Sequence, residues 1–308
     1  MLTLFGIQNR RISTLPPTCV TIGVFDGVHL GHQEVIRRGV AEARAAGLPA
    51  VVLTFDRHPL ELLRPEQAPD LLSSLCQRLR IFESLEVDIT VVLPFDPPLA
   101  QLTHEGFYRQ VLRESLHAER VVVGHDFGFG RGRSGSAEWL ATQLPTTIVQ
   151  PVTANGERIS SSAIRARIAE GDVEDAAQRL GRWYAVEGVV VPGNQLGSRL
   201  EMPTANLALV ERYVIPAEGV YAGWARLGSQ LYEAAISVGE RPSIPGAGFA
   251  IEAHLIGYEG EALYGKAIEL EFVRLVRSQE RFDDLEILAM KMKEDVEKVH
   301  AVLEGLRA

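Results

Sequence analysis

Apolar runs and amphipathic stretches alternate along the first half of the chain. Short buried strands are predicted over Val20–Phe25, Ala50–Phe55, Ile89–Leu93, Arg120–Gly124 and Thr147–Val149. Helical spacing fills the intervals at Gln33–Ala46, Ser74–Leu85, His104–Leu116 and Ser136–Thr142. A further helix is predicted over Ser160–Glu170, where serines supply the cap and Gly171 ends it. Strands that alternate with helices in this way predict an α/β, doubly wound parallel sheet.

The texture changes near Trp183. Tyr184–Val191, Gly219–Arg226, Leu231–Val238, Phe249–Leu255 and Lys266–Leu275 are short β-rich pieces separated by Gly, Pro and charged turns. They predict a small antiparallel barrel. Asp283–Leu303 reads as a terminal helix whose Leu285, Leu288, Met292 and Val296 stripe packs on that barrel. The boundary lies near Leu180–Trp183, which gives expected domains 1–181 and 182–308.

Length and composition fit this division. A chain of 308 residues holds about two domains, and 46% hydrophobic with 23% charged residues is ordinary globular composition. The net charge of −9 argues against broad nucleic-acid binding, so local positive charge must be supplied at a site. The two cysteines, Cys19 and Cys76, fit neither a disulfide framework nor a metal site. No apolar run approaches the roughly 18 residues of a membrane span, and no signal-peptide pattern is present. A cytoplasmic protein without membrane or nucleic-acid partners is expected; the sequence leaves its oligomeric state open.

Four polar clusters fall at predicted strand ends. The most informative runs from Thr21 to His32, where Asp26-Gly27 turns the chain and two histidines, His29 and His32, flank Gly31 as a helix begins. Such a junction aims backbone N–H groups and a positive helix end at a phosphate. Glycine lets the backbone approach, and histidines can donate to oxygens that gain charge. The second cluster is Thr54–Pro59. In the third, Val123–Gly130, His125 and Asp126 precede Phe127. The fourth, Arg158–Arg165, opens a helix with serines and places an arginine one turn later, a geometry suited to an anion. In a doubly wound sheet all four gather along the carboxyl edge.

Gly23-Val-Phe-Asp-Gly-Val-His-Leu-Gly-His-Gln33, Thr54-Phe-Asp-x-His-Pro59, Gly124-x-Asp-Phe-x-Phe-Gly130 and Ile159-Ser-Ser-Ser-x-Ile-Arg165 resemble the signatures of the prokaryotic bifunctional riboflavin kinase/FMN adenylyltransferase family. Met202-Pro-Thr-Ala-Asn206, Gly219-Val-Tyr-Ala222, Ile251-Glu-Ala-His-Leu255 and Leu263-Tyr-Gly265 extend the resemblance to the C-terminus. It implies a nucleotidyltransferase domain followed by a six-stranded kinase barrel with a C-terminal helix. It also implies ATP as co-substrate, riboflavin, FMN and FAD as substrates or products, and Mg²⁺ at the phosphates. By the resemblance, His29, His32 and Glu252 are catalytic, with Glu252 the base for the ribityl hydroxyl. Gly23, Phe25, Asp26, Gly31, Asp126, Phe127, Ser160, Ser161, Arg165 and Pro203 join Thr204 and Asn206 in binding nucleotide or flavin, and Thr204 and Asn206 also hold the metal. His58 reads as structural, or as a support behind the site, rather than catalytic.

One segment departs from the family pattern. Leu196 and Ser198 stand where arginines are usual, and Glu201 where a glycine is. Charge-assisted contacts are worth about 1.5–3 kcal/mol, so a lost arginine weakens phosphate binding about tenfold. Arg199 offers partial compensation, and Gln279 replaces a usual acidic residue. Two alternatives therefore stand beside the bifunctional reading: an FMN adenylyltransferase with a weakened kinase barrel, and a non-catalytic flavin or nucleotide sensor.

Overall fold

Six parallel strands build the first sheet of the computed structural model, which describes residues 1–193, 202–240, 249–280 and 284–306. They are β1 Leu2–Phe5, β2 Thr18–Ile22, β3 Ala50–Phe55, β4 Ile89–Leu93, β5 Ala118–Gly124 and β6 Thr146–Val149. Every residue of β2 and β4 is buried, as a parallel sheet covered on both faces requires. On one face Val20, Ile22, Val51, Leu53 and Val121 pack with Phe107, Val111 and Leu112. On the other, Val52 meets Ile36 and Phe82, while Cys19 and Val122 meet Val35 and Ala43. The sheet is doubly wound, as expected.

Helix Leu30–Ala46 lies so close to β2 that a Cβ on Gly39 would stand 2.0 Å from Thr21 Oγ1. The helix ends at Gly47, whose φ of 66° provides the left-handed cap. The expected helix His104–Leu116 divides: Ηis104–Phe107 is α-helical, and Tyr108–Ser115 continues as a π-helix. The strand order β1-β4-β3-β2-β5-β6 reverses direction at β2 and β5. That is the topological switch point, where open α/β sheets place ligands outside the carboxyl ends.

Six further strands form a closed antiparallel barrel of order β7-β8-β11-β10-β9-β12. These are β7 Tyr184–Val191, β8 Ala205–Leu209, β9 Gly219–Leu227, β10 Gln230–Glu240, β11 Phe249–Leu255 and β12 Ala267–Ser278. Strict alternation of buried and half-buried residues along β7 marks a barrel wall with one face inward. In its core Tyr184 stacks on Phe272, and Tyr221 meets Phe272 edge-on. Burial pushes the Tyr221 phenol up to about 12, and its hydroxyl donates to Ala217 O at 2.6 Å.

The terminal helix, Leu285–Glu304, packs on the barrel through Val299 and Leu303 against Ala222, Trp224 and Val273. Of the expected stripe, Leu288, Met292 and Val296 are half-buried, and the Leu285 side chain lies outside the described residues. Burial is deepest at Val299 and Leu303, and Asp295, 3% exposed, pairs with Arg277 at 2.8 Å.

Contacts group the chain into two compact units, Met1–Pro69 with Ser73–Ser160, and Asp70–Leu72 with Ser161–Ala308. Helices Ser161–Ala169 and Val173–Leu180 thus count with the barrel. So does the short strap Asp70–Leu72, whose Leu71 exchanges backbone bonds with Arg212 and Val214.

Candidate active sites

The turn after β2 is built from unusual backbone. Phe25 and Val28 adopt φ values of 53° and 38°, and Gly27 one of 78°. A β-branched residue at positive φ is a strained outlier that persists only where its surroundings over-determine it. Here they do. Asp26, 5% exposed, accepts from the Ser73 N–H at 3.1 Å, and the Gly27 N–H donates to Ser73 Oγ at 2.8 Å. Gly23 leaves room for the Phe25 ring, which a Cβ would meet at 2.7 Å. Asp26 therefore faces inward and holds the loop.

His29 caps the helix that follows, and its Nδ1 accepts from the His32 N–H at 3.2 Å. That bond leaves the proton of the neutral ring on Nε2, which makes Nε2 a donor. The two imidazoles stack with centroids 3.6 Å apart and planes 16° from parallel. Phe25 meets His32 edge-on at 5.3 Å. A Cβ on Gly31 would press on the His29 ring at 3.1 Å, so glycine there preserves the stack. Burial, and then the neighbouring His29, hold the His32 ring well below the usual histidine range. His32 Nδ1 is sealed from solvent with no hydrogen-bond partner among the described residues.

At the end of β5, the strand beside β2, Asp126 is exposed and accepts from Arg158 Nη2 at 2.6 Å. Desolvation opposes its ionisation, but the Arg158 hydrogen bond and charge outweigh that and lower the carboxyl below its ordinary value. Phe127 stacks on Phe129 at 5.4 Å. His58 caps helix Pro59–Leu63 through Nδ1, in a capping box with Glu61, which is the structural part expected of it. Ser160 closes the first unit. Ser161 and Arg165 stand on helix Ser161–Ala169 in the second, where Arg165 Nε donates to Asp70 O at 2.7 Å.

In the barrel, register brings the second set together. Asn206 on β8 pairs with Glu252 on β11, and Thr204 Oγ1 donates to Glu252 Oε2 at 3.2 Å. Pro203 O is bonded to the His254 ring at 2.9 Å. Asn206 is 5% exposed and so close to Gly193 that a Cβ there would lie 2.2 Å from Nδ2. The Thr204 hydroxyl and the Asn206 amide oxygen are hard donors that suit Mg²⁺ when nucleotide phosphates complete the shell. Leu196, Ser198, Arg199 and Glu201 lie outside the described residues.

Sequence reasoning missed Ser73 and Arg78. Arg78 sits on the buried face of helix Leu75–Ser84, in register with Phe82. An arginine on an apolar stripe, one residue after the Ser74–Gln77 capping box, is the signal that marks it.

The FAD synthetase family profile matches residues 11–163, and the riboflavin kinase profile matches 180–303. A bifunctional riboflavin kinase/FMN adenylyltransferase from Haemophilus influenzae is 35% identical over 96% of this chain and 97% of its own. That of Escherichia coli K12 is 34% identical over 94% of each. A Streptococcus pneumoniae crystal structure, named as a macrolide-efflux protein, shares 31% identity over 97% of this chain and 99% of its own, with a TM-score of 0.87. No helix among the described residues is long and apolar enough to cross a membrane. A histidine pair at a sheet switch point, a Thr–Asn–Glu cluster in a closed barrel and relatives matched nearly end to end converge, and the chain belongs to the bifunctional riboflavin kinase/FMN adenylyltransferase family.

Proposed function

We propose that the chain makes FAD from riboflavin in two steps, each in its own part, with the functional division between residues 181 and 182. The barrel phosphorylates riboflavin with ATP, giving FMN and ADP. The α/β part adenylylates FMN with a second ATP, giving FAD and pyrophosphate. The observation that carries this reading is the presence, in one chain, of both a stacked His29–His32 pair at a helix start and a Glu252–Thr204–Asn206 oxygen cluster. Neither the adenylyltransferase-only reading nor the sensor reading gains support from the relatives, which are bifunctional enzymes along their whole length.

In adenylyl transfer, a phosphate oxygen of FMN attacks the α-phosphorus of ATP in line as pyrophosphate departs. No covalent intermediate forms on the protein, so positioning and charge stabilisation do the catalysis. His29 Nε2–H and the neutral His32 donate to the phosphate oxygens as charge builds, aided by the N-terminus of a 17-residue helix. Gly23, Phe25, Asp26 and Gly31 shape that loop. Ser160, Ser161 and Arg165 hold the triphosphate. Asp126, kept ionised by Arg158, and Phe127 orient nucleotide or flavin.

In the kinase step, Glu252 takes the proton from the ribityl 5′-hydroxyl as that oxygen attacks the γ-phosphorus. Thr204 and Asn206 would hold Mg²⁺, and Pro203 fixes the turn that presents them. When bound, the metal would supply charge neutralisation at the phosphates. We place the enzyme in the cytoplasm, where Cys19 and Cys76 stay free thiols. Assaying purified protein with riboflavin plus ATP, and separately with FMN plus ATP, tests the proposal through the products formed.

A further inference from the structure

The left-handed turn at Phe25 is held from both sides by helix Leu75–Ser84 and by Ser73, the residue before its N-cap Ser74. On the near side, Arg78 Nη1 donates to Val24 O at 2.9 Å, and both Nη atoms donate to Phe55 O at 3.1 Å. Arg78 Nη1 also donates to Thr54 Oγ1 at 3.1 Å. On the far side, Ser73 engages Asp26 and Gly27. Phe82, from the same helix, packs edge-on against the Phe25 ring at 5.7 Å. Val24 and Phe55 stand where β2 and β3 run out, so the guanidinium ties together the ends of two neighbouring strands. Arg78 is 5% exposed. A planar fork can grip two carbonyls at once, which a single ammonium cannot do with the same geometry.

The consequence reaches the histidines. Val24 precedes Phe25, Phe25 bears on His32, and His32 stacks on His29. We propose that Arg78 is a positioning residue for adenylyl transfer, which grips the Val24 and Phe55 carbonyls and so fixes the Phe25 turn on which the histidine pair rests. It does not touch substrate; it acts through the loop. Ser73 completes the brace. This inference rests on the adenylyl-transfer reading of the histidine pair.

The test compares full-length Arg78→Lys and Arg78→Met with the wild-type chain. Misplacement of about 1 Å can cost catalysis about 100-fold, so Arg78→Lys should lower kcat for FMN adenylylation by at least about tenfold. KM for ATP and FMN should stay within about threefold, because the defect lies in alignment. Riboflavin kinase activity of the same chain should be unchanged, which makes it an internal control for folding. The imidazole ¹⁵N signals of His29 and His32 should shift in the ligand-free variants. Wild-type adenylylation kcat with unshifted histidine signals in Arg78→Lys and Arg78→Met would overturn the proposal. So would a parallel fall of both activities with the melting temperature in both variants, since that marks a purely structural arginine. If the wild type itself makes no FAD from FMN, the functional reading fails, and the histidine signals still judge where Arg78 sets the rings.

Discussion

The imidazole of His29 lies flat against that of His32, centroids 3.6 Å apart, and its Nδ1 accepts the backbone N–H of His32. One ring is buried, caps the helix and fixes its own tautomer, while the other is desolvated and kept neutral. Two neutral donors at a helix N-terminus suit an anion whose charge grows during reaction. Replacing either histidine by alanine should slow FMN adenylylation by about 10²- to 10³-fold, the loss typical of one preorganised donor. Kinase activity should persist, and steady-state assays of both reactions on each variant check this.

The desolvated His32 ring also sets a pH dependence. The unfolded chain protonates this histidine near its ordinary value of about 6.5, whereas the folded chain resists down to a lower pH. The unfolded state therefore takes up the proton first, and acid favours it. The contribution is fully present above about pH 6.5 and is lost as pH falls through the folded value. Urea unfolding of the wild type and His32→Gln, compared between neutral and mildly acidic pH, should show the steeper acid loss in the wild type. Parallel pH profiles would contradict this.

Glu252 is the proposed base of the kinase step, seated opposite Asn206 and bonded to Thr204. Glu252→Gln keeps the size and the acceptor oxygen but removes the basic carboxylate. FMN formation should drop by about 10²- to 10⁴-fold, the usual worth of general-base catalysis. FAD formation from supplied FMN should stay at the wild-type rate.

Gly193 matters for its missing side chain. A methyl group there would drive into the Asn206 amide, whose Nδ2 lies 2.2 Å from the Cβ position. Gly193→Ala should lower kinase activity about tenfold to 100-fold by displacing Asn206. Adenylylation is again the control, and equal kinase rates would show that Asn206 can move without consequence.

The sequence pattern revealed the regular parts of both folds through burial. β2, β3, β4 and β5 are apolar runs, and helix Leu30–Ala46 has both a cap and a terminal glycine. β1 escaped because an edge strand of four residues, with Phe5 59% exposed, carries too little pattern to read. β8 escaped as well: Ala205–Leu209 follows a Pro-Thr turn and reads as a motif until its pairing with β7 and β11 is seen. At the histidine loop the glycines and histidines were legible, since they cluster in one segment. Their supports were not. Ser73 and Arg78 lie about 50 residues away and are joined to the loop only by hydrogen bonds that the fold creates. The hydrogen bond that Asp26 accepts from Ser73 likewise leaves no mark in the local sequence.

Supplying purified protein with riboflavin, ATP and Mg²⁺, and following flavins over time, tests the two-step account most directly. FMN should appear first and FAD after it, and FMN supplied alone with ATP should give FAD at once. FAD from FMN with none from riboflavin, or no FAD from either, would contradict the account.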